Sequence, residues 1–285
     1  MKVGLVLEGG AMRGIWTCGV LDILMENIID VDGIIGTSAG GIFGVNYFSN
    51  QKGRVIRYTK RFCKDLRYMS FLSLMLTGNI INKKFAYYKV SKKYDIFDNE
   101  EYIKNNKEFY VSATNVETGN TEYFKITNPM EQLEELRATS AMPLVSRFVK
   151  INNKKYLDGG ISDSIPIEKM QSLGYDKIVI ILTQPLEFRK RELSLKKQKM
   201  INMRYKKYPN LIKRMQNRYK EYNEVVEKII ELEKDKKVFV IRPSKKLNIK
   251  RLERNKDKLQ EIYDLGIEDA NRIMKDLKKY LGKDK

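Results

Sequence analysis

Three short stretches hold side chains with the right types and spacing for chemistry. In Gly36-Thr37-Ser38-Ala39-Gly40 a serine stands between glycines in the G-x-S-x-G arrangement. Between a strand and a helix, that spacing lifts the hydroxyl above the sheet on a sharp turn. The first amides of the helix, Ala39 among them, then stabilise negative charge growing beside it. The same serine would also serve as an ordinary helix N-cap. Glu8-Gly9-Gly10-Ala11-Met12-Arg13-Gly14 follows a short apolar run, and its backbone N–H groups can form a nest for an anion. Asp158-Gly159-Gly160 is, taken alone, a turn sequence. An absence links the three, because the 285 residues include no histidine. If Ser38 is a nucleophile, its proton must go to a carboxylate, a lysine or a tyrosine. Asp158, at the tip of a predicted strand, can fill that role. With an ordinary pKa of about 3.9 it is a weak base in water. It works only when desolvated, in contact with Ser38 and matched with donors for an oxyanion.

The glycine-rich loop also invites comparison with a dinucleotide site, and two features argue against that. Ala11 occupies the middle glycine position, where the backbone must approach a pyrophosphate. The acid that should end the second strand is missing, since Asp30 and Asp32 precede that strand.

The elements that must position these residues can be read from hydrophobic pattern. Val3 to Leu7 and Val31 to Ile35 are short apolar runs typical of buried parallel strands. Residues 12–27 carry apolar side chains at threes and fours, and the chain from Ser38 onward does the same. Strand, helix, strand, helix predicts an α/β sheet. Phe109 to Asn115 and Thr121 to Ile126 flank Glu117-Thr118-Gly119-Asn120, a hairpin signal. Lys154 to Leu157, Lys177 to Thr183 and Lys237 to Arg242 read as further strands, and 255–281 as a closing helix. Leu66 to Ile81 is the most apolar stretch. It fits either a core helix or a cap that touches acyl chains.

Composition narrows the class. Length favours a main domain with a smaller appendage. Lys and Arg outnumber Asp and Glu by 55 to 36, a formal charge of +19, which suits anionic partners. Residues 187–220 hold thirteen Lys/Arg against two acids and supply +11 of that excess. Cys18 and Cys63 are too few for a disulfide framework and sit in apolar contexts. Without histidine, no zinc or copper ligand set is expected, and no other cofactor. The N-terminal apolar run is too short for a signal peptide, and no stretch reaches the roughly 20 apolar residues of a membrane span. The expected location is cytoplasmic, with peripheral contact at the inner membrane face.

The three motifs, in this order, resemble the patatin-like phospholipases. Ala138-Thr139-Ser140-Ala141-Met142-Pro143 resembles the stretch that precedes the family's catalytic aspartate. The likeness runs over residues 3–185. It implies a three-layer α/β/α fold with a mostly parallel sheet in a catalytic domain of 1–185, followed by a basic, mainly helical region of 186–285. It also implies a Ser38–Asp158 dyad. Gly9, Gly10 and Ala11 would donate to the oxyanion, and Arg13 would match the basic residue of that loop. Gly14, Gly36, Gly40, Gly159 and Gly160 complete the motifs. The chain departs from the family at Glu8, usually Asp, and at Ala11, usually Gly; alanine keeps its N–H but tolerates a positive φ poorly. The expected activity is hydrolysis of phospholipid or other acyl-ester lipids through an acyl-enzyme. The alternative is a non-catalytic binder of anionic membrane or nucleic acid, using Tyr205, Tyr208, Tyr219 and Tyr222 among the C-terminal cations. Head group, acyl-chain length and oligomeric state are left open by the sequence.

Overall fold

The computed structural model describes residues 1–283. The N-terminal half runs β1 (Val3–Leu7), α1 (Gly14–Glu26), β2 (Gly33–Thr37), α2 (Ala39–Phe48), α3 (Arg54–Phe62), α4 (Phe71–Thr77), a π-helical stretch at Lys83–Tyr94, and α5 (Asn99–Asn105). It continues through β3 (Glu108–Asn115), β4 (Thr121–Lys125), α6 (Leu133–Thr139), β5 (Val149–Ile151) and β6 (Lys154–Asp158). The remainder is α7 (Ile167–Ser172), β7 (Lys177–Ile181), α8 (Leu195–Arg204), α9 (Pro209–Lys234), β8 (Val238–Ile241) and α10 (Lys256–Tyr280).

The strands form one eight-stranded sheet in the order β5-β6-β3-β2-β1-β7-β8, with β4 pairing β3 off that path. β3, β2, β1, β7 and β8 are mutually parallel, whereas β4, β5 and β6 join antiparallel. Alternation along the central strands decides which helices cover which face. Leu5, Leu7, Ile34, Val179 and Ile181 share a cluster with α1, α2 and α10. Val6, Ile35, Ile178 and Ile180 point the other way, into a cluster with α7 and α9. Those runs are apolar throughout because both faces are buried, and the result is the expected α/β/α arrangement.

The region after 186 contributes to the same sheet and core. β8 extends it beside β7. α10 crosses α1 so closely that a Cβ on Gly19 or Gly266 would run into the carbonyl of Tyr263 or Trp16 on the facing helix. The crossing is fastened by Trp16 Nε1 donating to Asp269 Oδ2 at 2.9 Å, and by the Tyr263 hydroxyl on Asp22. Asn255 caps α10 by accepting from the amides of Asp257 and Lys258.

The apolar stretch at 66–81 does not form the core helix that its hydropathy permits. Met69 and Ile81 pair with each other and turn inward, but between them α4 leaves Phe71, Leu72, Met75 and Leu76 from 48 to 83% exposed. Ser70 caps this short helix and Gly78 ends it, so too few turns remain to reach the core. Nor do the C-terminal tyrosines form a platform for bases. Tyr205 and Tyr222 are buried, and Tyr208 packs edge-on against Phe148.

Candidate active site

Ser38 sits between β2 and α2 with φ 54° and ψ −120°, a strained conformation for a residue with a side chain. It occupies the N-cap position but makes no capping bond. The flanking glycines are sterically required. A Cβ on Gly36 would lie 2.5 Å from the Gly41 nitrogen, and one on Gly40 would lie 2.5 Å from the Leu7 carbonyl oxygen. The turn can close, and α2 can pack onto β1, only with bare backbone at those two places. The Ser38 amide donates to Thr139 Oγ1 at 2.8 Å, which fixes the turn from α6.

Its hydroxyl is free to go elsewhere, and it donates to Asp158 Oδ2 at 2.7 Å. Asp158 is the last residue of β6. Its amide donates to the Ala141 carbonyl, and its own carbonyl accepts from Thr114 Oγ1, both at 2.9 Å. Its other carboxylate oxygen, Oδ1, accepts from the Gly160 amide at 2.7 Å. Gly159 lets the chain turn against Ser112, where any side chain would collide. Thus Thr139 and Ala141 of the Ala138–Pro143 stretch each hold one end of the pair. Burial pushes the Asp158 carboxyl above its ordinary pKa, against the pull of the Ser38 and Gly160 bonds and of the Arg218 and Lys190 charges. That desolvated carboxylate in contact with the serine is the condition a histidine-free base has to meet.

The loop after β1 needs one correction of detail. The Gly9 amide is not free, because it donates to the Ser164 carbonyl at 3.3 Å, and the Arg13 amide is taken by the Gly10 carbonyl at 3.1 Å. Among the described residues, the amides of Gly10, Ala11 and Ala39 have no such acceptor. Ala11 does adopt a positive φ, 48°, so alanine bears here a conformation that glycine takes without strain. Gly14 lets α1 approach Ala39 and Phe43 of α2. Glu8 faces away from the serine. Its Oε2 accepts from the Thr183 amide at 2.6 Å and its Oε1 from the Tyr222 hydroxyl at 2.9 Å, which ties the loop to β7 and α9.

Two concavities meet at Ser38. One, about 1030 Å³ of empty space counted to its open mouth, is lined chiefly by apolar side chains such as Ile42, Phe43, Met69, Ile81, Val90, Met130 and Leu136. The other, about 1070 Å³ on the same measure, holds Gly9 to Ala11, Asp158 and Gly160, with the guanidinium groups of Arg13, Arg218 and Arg251. Ser38, Ala11, Met142, Arg251 and Leu252 border both. Sequence reasoning did not find Arg218, Arg251 or the neighbouring Lys190. They lie far apart in the chain, and no spacing marks them. Among the described residues, no group of three or more Cys, Asp or Glu is placed to hold a metal.

Residues 5–170 match the patatin-like phospholipase family. The chain belongs to that family. Residues 208–282 match a separate domain of unknown function. Among curated relatives, the Escherichia coli K12 protein named Uncharacterized protein YjjU is 31% identical over 65% of this chain and 52% of its own. Lysophospholipase NTE1 of Phaeosphaeria nodorum is 30% identical over 63% of this chain, a match that takes in 12% of the fungal protein. Probable lipid hydrolase 463L of Invertebrate iridescent virus 6 is 29% identical over 58% of this chain and 61% of its own. The chain therefore spans about half of the first of these and far less of the second.

Proposed function

We propose that the protein is a serine acyl hydrolase acting on lipid esters. The observation that carries the reading is the 2.7 Å bond from Ser38 Oγ to a buried Asp158, at the junction of an apolar cavity and a cationic cleft. An ester carbonyl laid over Ser38 would direct its acyl chain into the apolar side. As Oγ attacks, its proton passes to Asp158 Oδ2, and charge gathers on the carbonyl oxygen. The amides of Gly10, Ala11 and Ala39 are the free donors around that point, and one such donor contributes about 3 kcal/mol to a transition state. Collapse of the tetrahedral intermediate breaks the ester C–O bond. The leaving alkoxide takes the proton back from Asp158. Water then attacks the acyl-enzyme with Asp158 again as base, releasing the fatty acid and restoring Ser38. Family membership and relatives bearing the names lysophospholipase and lipid hydrolase support the same class of reaction.

Ser38→Ala and Asp158→Asn should each lower turnover of a p-nitrophenyl acyl ester by roughly a thousandfold or more. Ser38→Ala should also abolish labelling by a fluorophosphonate. Undiminished turnover in either variant would end the dyad.

The reading includes peripheral contact with an anionic membrane. The exposed apolar side chains of α4 adjoin the cleft, since Ile80 and Arg147 bond the 79–80 turn to the 145–147 segment beside it. The Leu144 amide of that segment in turn donates to Tyr205, at the end of α8. There Leu195, Met200 and Met203 are exposed together with Lys196, Lys197 and Lys199. Apolar side chains ringed by lysine are what an anionic bilayer surface holds.

A further inference from the structure

Beside the dyad, a group of cations comes together that the acyl-transfer steps do not use. Lys190 follows β7, Arg218 lies in α9, and Arg251 is on the loop before α10; all three lie outside residues 5–170, the part that matches the patatin family. Lys190 Nζ donates to Ser164 Oγ at 3.0 Å, and an Arg218 Nη donates to the same oxygen at 3.4 Å. The Lys190 ammonium also rests 3.4 Å above the Tyr222 ring centre. Arg218 and Arg251 line the cleft that contains Ser38 and Asp158, and Arg13 enters it from the glycine loop.

None of these four cations takes part in an ion pair among the described residues, although nineteen such pairs occur elsewhere. The carboxylates that balance them are Glu8 and Asp158. Four positive charges less two negative ones leave an excess of two. Glu8 cannot turn to meet them, because Thr183 and Tyr222 already hold both of its oxygens. The Arg218 Nε is buried without any acceptor, an arrangement that costs about 1–3 kcal/mol in a finished structure. Crowded cations with unspent donors inside a cleft are the complement of an oxyanion, and a guanidinium fork suits phosphate oxygens in particular. Burial, with the Arg218 charge added, pushes the Lys190 ammonium well down from its ordinary pKa, a stress that an arriving anion would relieve.

We propose that Lys190, Arg218 and Arg251 form a subsite for the phosphoryl group of the substrate, so that the enzyme selects acyl esters that carry a phosphate close to the scissile carbonyl. The subsite rests on the acyl-hydrolase reading for its position relative to the ester. Its anion recognition can be measured without turnover. The acyl chain occupies the apolar cavity, the ester sits at Ser38, and the phosphate lies in the cationic cleft, which matches the order of parts in a glycerophospholipid.

Two measurements on the full chain test this. In the first, Ser38→Ala protein is titrated calorimetrically with glycerophosphocholine, inorganic phosphate and glycerol. Both phosphates should bind and glycerol should not, and adding Arg251→Gln or Arg218→Gln should weaken binding at least tenfold. Arg251 is exposed on a loop, so its substitution keeps the test open should Arg218→Gln fail to fold. Binding of inorganic phosphate without glycerophosphocholine would reject the head group as the source. Binding of neither would overturn the subsite. In the second, kcat/KM is compared for a monoacyl glycerophospholipid and a monoacylglycerol of equal chain length. The ratio of the two should fall at least tenfold in Arg218→Gln, Arg251→Gln and Lys190→Met. A ratio that stays constant while both rates fall would mean that these cations only hold the cleft in shape. Should wild-type protein cleave neither ester while the phosphates still bind, the hydrolase reading fails and the anion site stands.

Discussion

In the proposed dyad the Asp158 carboxyl takes the part that imidazole plays elsewhere, and its surroundings set the pH at which it can act. Burial raises its pKa, and the base must be ionised to take the Ser38 proton. Activity on a neutral ester should therefore rise with pH along a limb above the ordinary carboxylate range. Arg218 holds that pKa down, so in Arg218→Gln the limb should move to higher pH; a pH profile of kcat/KM reads this directly. A second carboxyl, Asp163, accepts from the Tyr123 hydroxyl at 2.5 Å and is raised by burial to about 6. Because the folded state binds that proton more tightly than the unfolded chain, the stability linked to it is fully present below about pH 4 and is lost as pH rises through 6. The loss amounts to at most about 3 kcal/mol. Asp163→Asn should match wild type near pH 4 and exceed it above pH 6 in urea melts. At Ala11 two effects oppose each other. Relief of the positive φ in Ala11→Gly is offset by the greater freedom of glycine when unfolded, each about 1 kcal/mol. Thermal melts of that variant should lie close to wild type, with esterase activity retained.

At the scale of elements, some features follow from local sequence and some do not. β1 and β2 were legible because short apolar runs give way to glycines that permit close backbone contact, and α1 and α2 because their apolar side chains recur at threes and fours. The Ser38–Asp158 pair was legible because the absence of histidine restricts the candidates. The cluster of Lys190, Arg218 and Arg251 was not legible, since three separate connections bring it together. α4 was left open between core and cap for a different reason: hydropathy reports what water repels and says nothing of whether protein or lipid replaces it. Its four outward side chains, Phe71, Leu72, Met75 and Leu76, can be tested as a unit. Leu72→Ser with Met75→Ser should weaken sedimentation with anionic vesicles by about thirtyfold or more, since each apolar side chain buried contributes roughly 1–2 kcal/mol. An unchanged bound fraction would exclude α4 from the contact. The Gly19–Gly266 crossing makes the opposite demand, for nothing at all in the gap. Gly266→Ala should lower the urea midpoint clearly, by the equivalent of about 1–3 kcal/mol or more, because a methyl there meets backbone that cannot give way.

Across the whole molecule, the charge of +19 is unevenly used. Most of the basic 187–220 segment faces solvent, where it can attract an anionic surface from a distance, while Arg218 lines the cleft and Lys190 joins it on the Ser164 hydroxyl. These two populations should separate under salt. Vesicle association should fall steeply as ionic strength rises, and phosphate binding in the cleft should fall less, because screening is weaker away from bulk water. The boundary between apolar cavity and cationic cleft is built by residues far apart in the chain, Ala11, Met142, Arg251 and Leu252.

The clasp between α1 and α10 also has a consequence for how the protein is made. Trp16 and Asp269 are 253 residues apart. At about 5–20 residues per second, a ribosome delivers the second partner roughly 10–50 s after the first. Throughout that interval the indole of Trp16 and the groove at Gly19 lack the helix that finally covers them. A ribosome stalled before α10 emerges should therefore leave behind an adhesive product rather than a smaller folded protein.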